Sequence, residues 1–520
     1  MELEYPAARG RVVKIRSLAA NTVIMSLRTV ATMAISLYSS RVILAELGTV
    51  DYGIYFAVAG VTLLISFLNS SLATSTQRFL SVEIARPDHG RLRAVFSASM
   101  QIHVAMALLV LLASETLGLW LLETHMVIPE ARMDAARVVF HFAVFSTVLT
   151  IVQVPYTATL AAFERFTAYA VFDILHAVLR LLVAVMLTVG SGDLLELFSA
   201  LMFGVTLTVA IAKAAYCMRA IPASRYRPSR DGALLYDMTG FAGWTVLGAA
   251  SLAFNIQGVG ILLNLFFGPV ANAAQTIGLQ LTNATSTLAS NLQITSNPQI
   301  VKAYAADDRD RFHALVEQSS RLSFLLMLTL TAPIIVGVEA ILDIWLQTVP
   351  YQAGEMARLL LLAALVNSFS FPLMAAAQAT GTIRLYQILV SGVMLSALPL
   401  GFLMFSLGVG PLSIFQLLLV LSILALGVRL LLLRHLIGLD LGRFMGVVLL
   451  PGIAVGALAL SAGWGMRLLS PAEVPADMAG LLATGLATPV AAFLLGISGA
   501  ERRQLRETIL KRRNMERKCP

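Results

Sequence analysis

VILAELGTV, Val42 to Val50, returns 220 residues later as LLNLFFGPV, Leu262 to Val270, with Gly48 falling on Gly268. The same shift lays FLNSSLATSTQ, beginning at Phe67, over TLASNLQITSN, beginning at Thr287, and carries on to pair Asp88 with Asp308 and Arg91 with Arg311. At a shift of 217, PYTATLAAFERFTAY falls on PLMAAAQATGTIRLY, so that Pro155 meets Pro372 and Tyr169 meets Tyr386. Two matches at nearly one period mark an internal duplication.

The chain that is duplicated belongs in a membrane. It is 58% hydrophobic and only 13% charged over 520 residues, with a mean hydropathy of +0.82. A soluble protein of that size would lack the polar surface to cover its core. Apolar runs long enough to cross about 30 Å of hydrocarbon recur about fourteen times, centred near residues 32, 62, 108, 147, 180, 205, 253, 282, 335, 367, 397, 422, 456 and 487. ARPDHGR, IPASRYRPSRDG, AADDRDR and SPAEVPAD punctuate them. The runs are too long and too little alternating for a β-barrel.

The expected fold is therefore all-α and polytopic, with two six-helix lobes and two further helices at the C-terminal end. The expected boundaries are 1–235 for the first lobe, 236–440 for the second, 441–500 for the two additional helices and 501–520 for a basic tail. Six spans per copy is an even number, so both copies enter the membrane from one side as a parallel repeat.

Most of the 37 Lys and Arg residues fall on the side of the termini, including RGRVVKIR near the start and RRQLRETILKRRNMERK near the end. That asymmetry places both termini in the cytoplasm and explains the net charge of +8 without nucleic acid. The basic N-terminus leads into an apolar run without a small-residue cleavage site, and reads as a retained first helix. Cys217 and Cys519 stand far apart without CxxC or His neighbours, so no disulfide, metal site or cofactor is expected. The connecting loops are too short for an extramembrane catalytic domain, and no catalytic residues are expected.

At SLYSSRVILAELGTVDYGIYFAVAGVTLLISFLNSSLATSTQRFLSVEIAR, residues 36 to 86, the likeness becomes specific. Together with the two-lobe plan, this stretch resembles the polysaccharide and O-antigen flippase branch of the multidrug/oligosaccharidyl-lipid/polysaccharide (MOP) exporter superfamily, chiefly through its LG-x-x-x-[YF]-G-x-[YF] pattern from Leu47 to Tyr55. The resemblance implies a two-lobed transporter of the bacterial inner membrane. It would move an undecaprenyl-pyrophosphate-linked oligosaccharide, a precursor of polysaccharide or O-antigen, from the cytoplasmic to the periplasmic leaflet. Its implied partners are that substrate, membrane lipids and the polysaccharide polymerase and export machinery.

Polar residues inside spans are the candidate sites, because a charge in the bilayer costs about 2.5 to 3.5 kcal/mol on insertion scales and is retained where it faces a cavity or a partner. Arg28 sits midway along the first helix, and Asn21, Arg28, Thr32 and Ser39 fall near one stripe. A guanidinium fork suits phosphate oxygens, whereas snorkelling to the interface is the plainer reading. Arg78, Asn69 and Gln77 belong to the polar stretch that ends near the cytoplasmic end of the second helix, and Arg78 has no basic counterpart because Pro298 faces it in the repeat. Asn255, Gln257, Asn264, Asn272, Gln275, Gln280 and Asn291 are uncharged amides suited to sugar hydroxyls, or equally to tying helices together.

Asp173, His176 and Arg180, spaced i, i+3, i+7 on one helical face, are the candidates for ion coupling, or a self-neutralised structural cluster. ADDRD, Ala306 to Asp310, reads as a solvated loop. A cation-coupled multidrug exporter of the same superfamily is the alternative function, and a membrane-embedded glycan polymerase or transferase a third.

Overall fold

The computed structural model describes residues 15–65, 75–77, 79–80, 83–84, 91–163, 165–228, 231–239, 253–380, 384–470 and 475–496. Helices account for nearly all of them. The first, α1, runs Ile15–Ile65. There follow α2 (Leu92–Thr124), α3 (Glu130–Ala162), α4 (Phe166–Leu187) and α5 (Leu194–Ala220). Next come α6 (Phe254–Phe267) and α7 (Pro269–Ala305). The remainder are α8 (Arg309–Val336), α9 (Ala353–Ala379), α10 (Arg384–Ser406), α11 (Leu412–Ile437), α12 (Leu441–Leu469) and α13 (Ala476–Gly496). Among the described residues, 11 helices are long and apolar enough to cross a membrane. This is a multi-pass all-α membrane protein.

All fourteen expected centres lie in helix, and three of them, at 62, 253 and 282, fall on segments that the count of 11 among the described residues does not take in. The centres at 32 and 62 lie on the two arms of α1, two helices joined at a kink at Gly48 without a loop. The centre at 253 lies in helix immediately before α6, of which Phe254–Phe267 is the extent among the described residues. The centre at 282 lies on α7, whose 37 residues carry too many amides and hydroxyls to read as apolar. Arg309–Val336 is centred well before residue 335, since its first half carries buried Glu317, Ser319, Ser320, Arg321 and Ser323. Hydropathy follows the lipid-facing residues, and this helix is two-thirds buried over its most apolar window.

Duplication is written into the backbone. Gly48 has φ 72° and ψ 172°, and Gly268, its partner at a shift of 220, has φ 78° and ψ −172°. Each breaks a helix with the same left-handed step, a conformation that glycine reaches without a Cβ penalty. At a shift of 217, α2 and α8 begin together at Leu92 and Arg309, α3 and α9 end together at Ala162 and Ala379, and α5 and α11 end together at Ala220 and Ile437. Helix α3 is interrupted at Gln153, just before Pro155, and α9 at Phe369, before Pro372. Proline lacks the N–H of the helical ladder and restricts the residue ahead of it.

Contacts divide the chain into two compact units, one of Met1–Thr276 with Leu346–Tyr351 and Leu398–Leu407, the other of Ile277–Trp345, Gln352–Ala397 and Gly408–Pro520. The first has a core in which Leu92, Val95 and Phe96 of α2 pack with Leu160, Phe172, Val209 and Cys217. The second gathers Phe324, Leu328, Phe369, Leu373, Leu433 and Val455. Its Phe324 and Phe369 rings stack at 4.0 Å between centroids, a pair worth about 0.5–1.5 kcal/mol beyond its buried area. Helices α12 and α13 pack into this second core. There a Cβ on Gly463 would stand 3.2 Å from the Gly480 carbonyl, and one on Gly480 3.1 Å from that of Gly463. Small residues let the two backbones approach where lipid supplies no hydrophobic drive.

ADDRD forms the entry to α8. Asp307 takes a left-handed turn at φ 54°, and the Asp308 side chain accepts from Arg311 N at 3.2 Å to cap the helix.

One ionic tie organises the first unit at the end where α3 and α5 begin. Arg132 donates to Asp51 through Nε at 2.9 Å and Nη2 at 2.6 Å, and to Asp193 through Nη2 at 3.0 Å. Asp193 also caps α5, accepting from Leu195 N and Glu196 N. The Arg132 guanidinium, aided by those amides, holds the Asp193 carboxyl below its ordinary value of 3.8. A carboxyl whose folded-state pKa is depressed stabilises the fold fully above the unfolded value and loses that contribution as pH falls through the folded one. Arg132→Ala leaves two facing carboxylates uncompensated. It is expected to lower stability by about 2 kcal/mol, discounted from the buried-pair range because all three side chains are about one-quarter exposed. Thermal unfolding in detergent at pH 7 checks this, and the difference from wild type should shrink below about pH 4.

Candidate functional site

Polar side chains of the first unit converge at its other end, where α3 ends, α4 begins and α5 ends. A cavity of about 350 Å³ there is lined by Gln77, Thr150, Gln153, Val154, Thr157, Ala158, Ala161 and Tyr169. The break before Pro155 frees the α3 backbone at this point and turns Gln153 and Thr157 to the cavity.

Arg28 stands beside it. Its Nη1 donates to Asp173 Oδ2 at 2.6 Å, and its guanidinium carbon lies 5.4 Å from the centroid of the Tyr169 ring. The ion pair joins α1 to α4, with Arg28 22% and Asp173 39% exposed. Asp173 is seven residues past Phe166, so the pair lies about 10 Å from the start of α4 at the helical rise of 1.5 Å per residue.

Lys213 reaches the same place from α5. It is 8% exposed, and its Nζ donates to the cavity-lining hydroxyl of Thr157 at 3.1 Å. His176 lies within the fields of Arg180, Asp173 and Lys213. Two formal cations, Arg28 and Lys213, thus stand near one carboxylate, while Arg180 lies two turns further along α4. The arrangement can hold an anion of more than one charge beside hydroxyls and amides that bond neutral polar groups.

The expected residues fare differently. Arg28, Asp173 and His176 come together, with Arg180 two turns further along α4, but the carboxylate pairs with Arg28 across helices. Gln77 lines the cavity, while Arg78 and Asn69 lie outside the described residues. Asn21 and Asn291 are helical, in α1 and α7, with side chains outside the described set. Thr32 and Ser39, expected on the Arg28 stripe, turn their hydroxyls to the Arg28 and Ile35 carbonyls of their own helix, and Ser39 is fully buried. Gln257 packs against Gly60, where an added Cβ would stand 3.2 Å from its Oε1, and Asn255, two residues earlier, is half-buried.

Three other amides act as ties within the unit. Asn264 Oδ1 accepts from Val127 N at 3.0 Å, Asn272 Nδ2 donates to the Gly260 carbonyl at 2.7 Å and Gln275 Nε2 to that of Ile256 at 3.4 Å. Arg358 is paired with Glu339 and donates to the Ile335 carbonyl.

Sequence reading passed over Lys213, Gln153, Thr157 and Tyr169. Lys213 carries a signal, being a lone ammonium inside the apolar AIAKAAYCM. Thr157 and Tyr169 stood in the repeated segment and drew notice only for their register.

No family model and no curated protein matches the sequence. Solved structures do match the fold, and they are transporters of the MOP superfamily. The lipid II flippase MurJ in an inward closed conformation superposes with a TM-score of 0.69 at 11% identity, over 90% of this chain and 98% of that one. A multidrug resistance MATE transporter matches in its inward-facing conformation with a TM-score of 0.61 at 14% identity, over 79% and 94% of the two chains. An outward-facing MATE conformation matches at 0.57 and 13%, over 80% and 95%. At these identities what is shared is the fold.

Proposed function

We propose that the protein is a flippase for a lipid-linked oligosaccharide of the undecaprenyl-pyrophosphate class, carrying its headgroup from the cytoplasmic to the periplasmic leaflet by alternating access. The observation that carries this reading is the charge balance beside the cavity, where Arg28 and Lys213 outnumber Asp173. A diphosphate suits such a site, and Gln77, Gln153, Thr150 and Thr157 suit sugar hydroxyls. The cavity also lies at the end of the unit that continues into the basic loop RYRPSR after α5, the side assigned to the cytoplasm by its positive charge. That is where a cytoplasmically made headgroup would enter. Inward-facing and outward-facing forms of the matching MATE fold support alternation.

The multidrug reading asks for a carboxylate free to receive a cation, and the acid at this site is engaged by Arg28. A strain lacking the protein is expected to accumulate lipid-linked saccharide on the cytoplasmic leaflet, measured by leaflet-selective labelling of the glycan. Unchanged leaflet distribution, with efflux of a cationic dye on expression, would overturn the flippase reading in favour of the exporter.

A further inference from the structure

Asp173 uses only part of the Arg28 fork. Nη1 meets one oxygen of Asp173 at 2.6 Å, the guanidinium also bonds the Tyr169 side chain, Nη2 makes a long contact of 3.4 Å to Thr29 Oγ1, and Nε is buried with no hydrogen-bond partner among the described residues. A carboxylate built in to hold Arg28 permanently would be expected to engage two donors, as Asp51 does with Arg132. Asp173 is also the more exposed partner, at 39% against 22%. It stands one helical turn beyond Tyr169, which lines the cavity. The groups that face the carboxylate are Arg28 from α1, His176 on its own helix, Tyr169 one turn back, and Lys213 from α5. An anion that left this seat would leave both cations behind it.

We propose that Asp173 is the resident ligand of the anion site: its carboxylate occupies the seat on Arg28 that a phosphate oxygen of the substrate takes, and loading displaces it. This rests on the reading of the substrate as a diphosphate-bearing lipid. The exchange forms and breaks no covalent bond. It trades one carboxylate oxygen for phosphate oxygens that can also reach donors of the fork that Asp173 does not use. In the empty protein Asp173 spares the bilayer an uncompensated guanidinium. After transport the returning carboxylate competes for Arg28 and promotes release. Apparent affinity falls by the fraction of time Arg28 is free. A partly exposed pair held closed about nine-tenths of the time lowers affinity about tenfold.

The test is equilibrium binding of a polyprenyl diphosphate, and separately of inorganic pyrophosphate, to the purified full chain in detergent. Asp173→Asn is expected to bind the lipid diphosphate about tenfold more tightly than wild type, and Arg28→Gln to lose binding. The Asn substitution should bring no gain in the Arg28→Gln background, because Asp173 acts through that residue. A similar gain in both backgrounds would reveal only a general field effect and overturn the proposal. Loss of binding in Arg28→Gln without any gain in Asp173→Asn would overturn it while leaving the headgroup assignment standing. Wild-type binding in Arg28→Gln would overturn both. A parallel gain for free pyrophosphate identifies the phosphate groups as what displaces Asp173, whereas a gain confined to the lipid assigns the displacement to the lipid-anchored headgroup. Asp173→Ser serves in the same cycle if Asp173→Asn fails to purify as a monodisperse protein.

Discussion

Arg28→Ala is expected to abolish export of the lipid-linked saccharide, with a fall in transport on the order of 100-fold and normal protein levels. The magnitude follows from removing a charge-assisted contact in a low-dielectric site, worth about 1.5 to 3 kcal/mol, at about 1.4 kcal/mol for each tenfold. Alanine leaves Asp173 without its ion-pair partner, and that alone could disturb α1 and α4. The double variant Arg28→Ala/Asp173→Ala removes both charges. It should fold as well as wild type and still fail to transport. Arg28→Lys keeps the charge but loses the fork, and should fall between. Transport is read in proteoliposomes as the protected fraction of labelled glycan, and abundance by immunoblot. Full transport in Arg28→Ala would remove the headgroup assignment.

Gly53→Ala should be the most damaging small change in the fold. A Cβ at residue 53 would stand 1.9 Å from the Pro269 carbonyl oxygen and 2.6 Å from its carbonyl carbon. Both are backbone atoms and cannot rotate away. The second arm of α1 and the start of α7 would have to separate by more than an ångström, undoing contacts around fully buried Tyr52 and Ile54. Overpacking of this kind costs about 1–3 kcal/mol, and a backbone obstacle places the effect at or above the upper end. A marked drop in monodisperse yield and in the unfolding midpoint is expected. Gly204→Ala, in the middle of α5 with nothing within 4 Å of the added carbon, should be neutral or slightly stabilising because alanine is the better helix former. Equal midpoints for Gly53→Ala and wild type would show that α1 and α7 do not approach as described.

Legibility in the sequence divides along physical lines. The helical spans were readable because lipid exposure imposes an apolar run on each stretch independently. The duplication was readable because Gly48 and Gly268 each need a conformation that few other residues adopt, and Pro155 and Pro372 each break a helix locally. The first half of α8 was less readable. Its Glu317, Ser319, Ser320, Arg321 and Ser323 face protein, and hydropathy treats a residue buried in protein as if it faced water.

By itself, then, the sequence determined an all-α, duplicated membrane chain in which Gly48 answers to Gly268, and it marked Arg28, Asp173, His176 and Arg180 as residues out of place in lipid. Only the tertiary structure decided what those residues meet. Asp173 has His176 and Arg180 on its own helix, yet its partner is Arg28, 145 residues away. Lys213 joins the cavity through Thr157, 56 residues away, and Asn264, Asn272 and Gln275 serve as ties between segments. Helical periodicity states which face a side chain occupies, and it is silent on which helix comes to cover that face. Pairing of charges in a bilayer is settled by that second fact, because each buried charge must find its compensation wherever packing brings one.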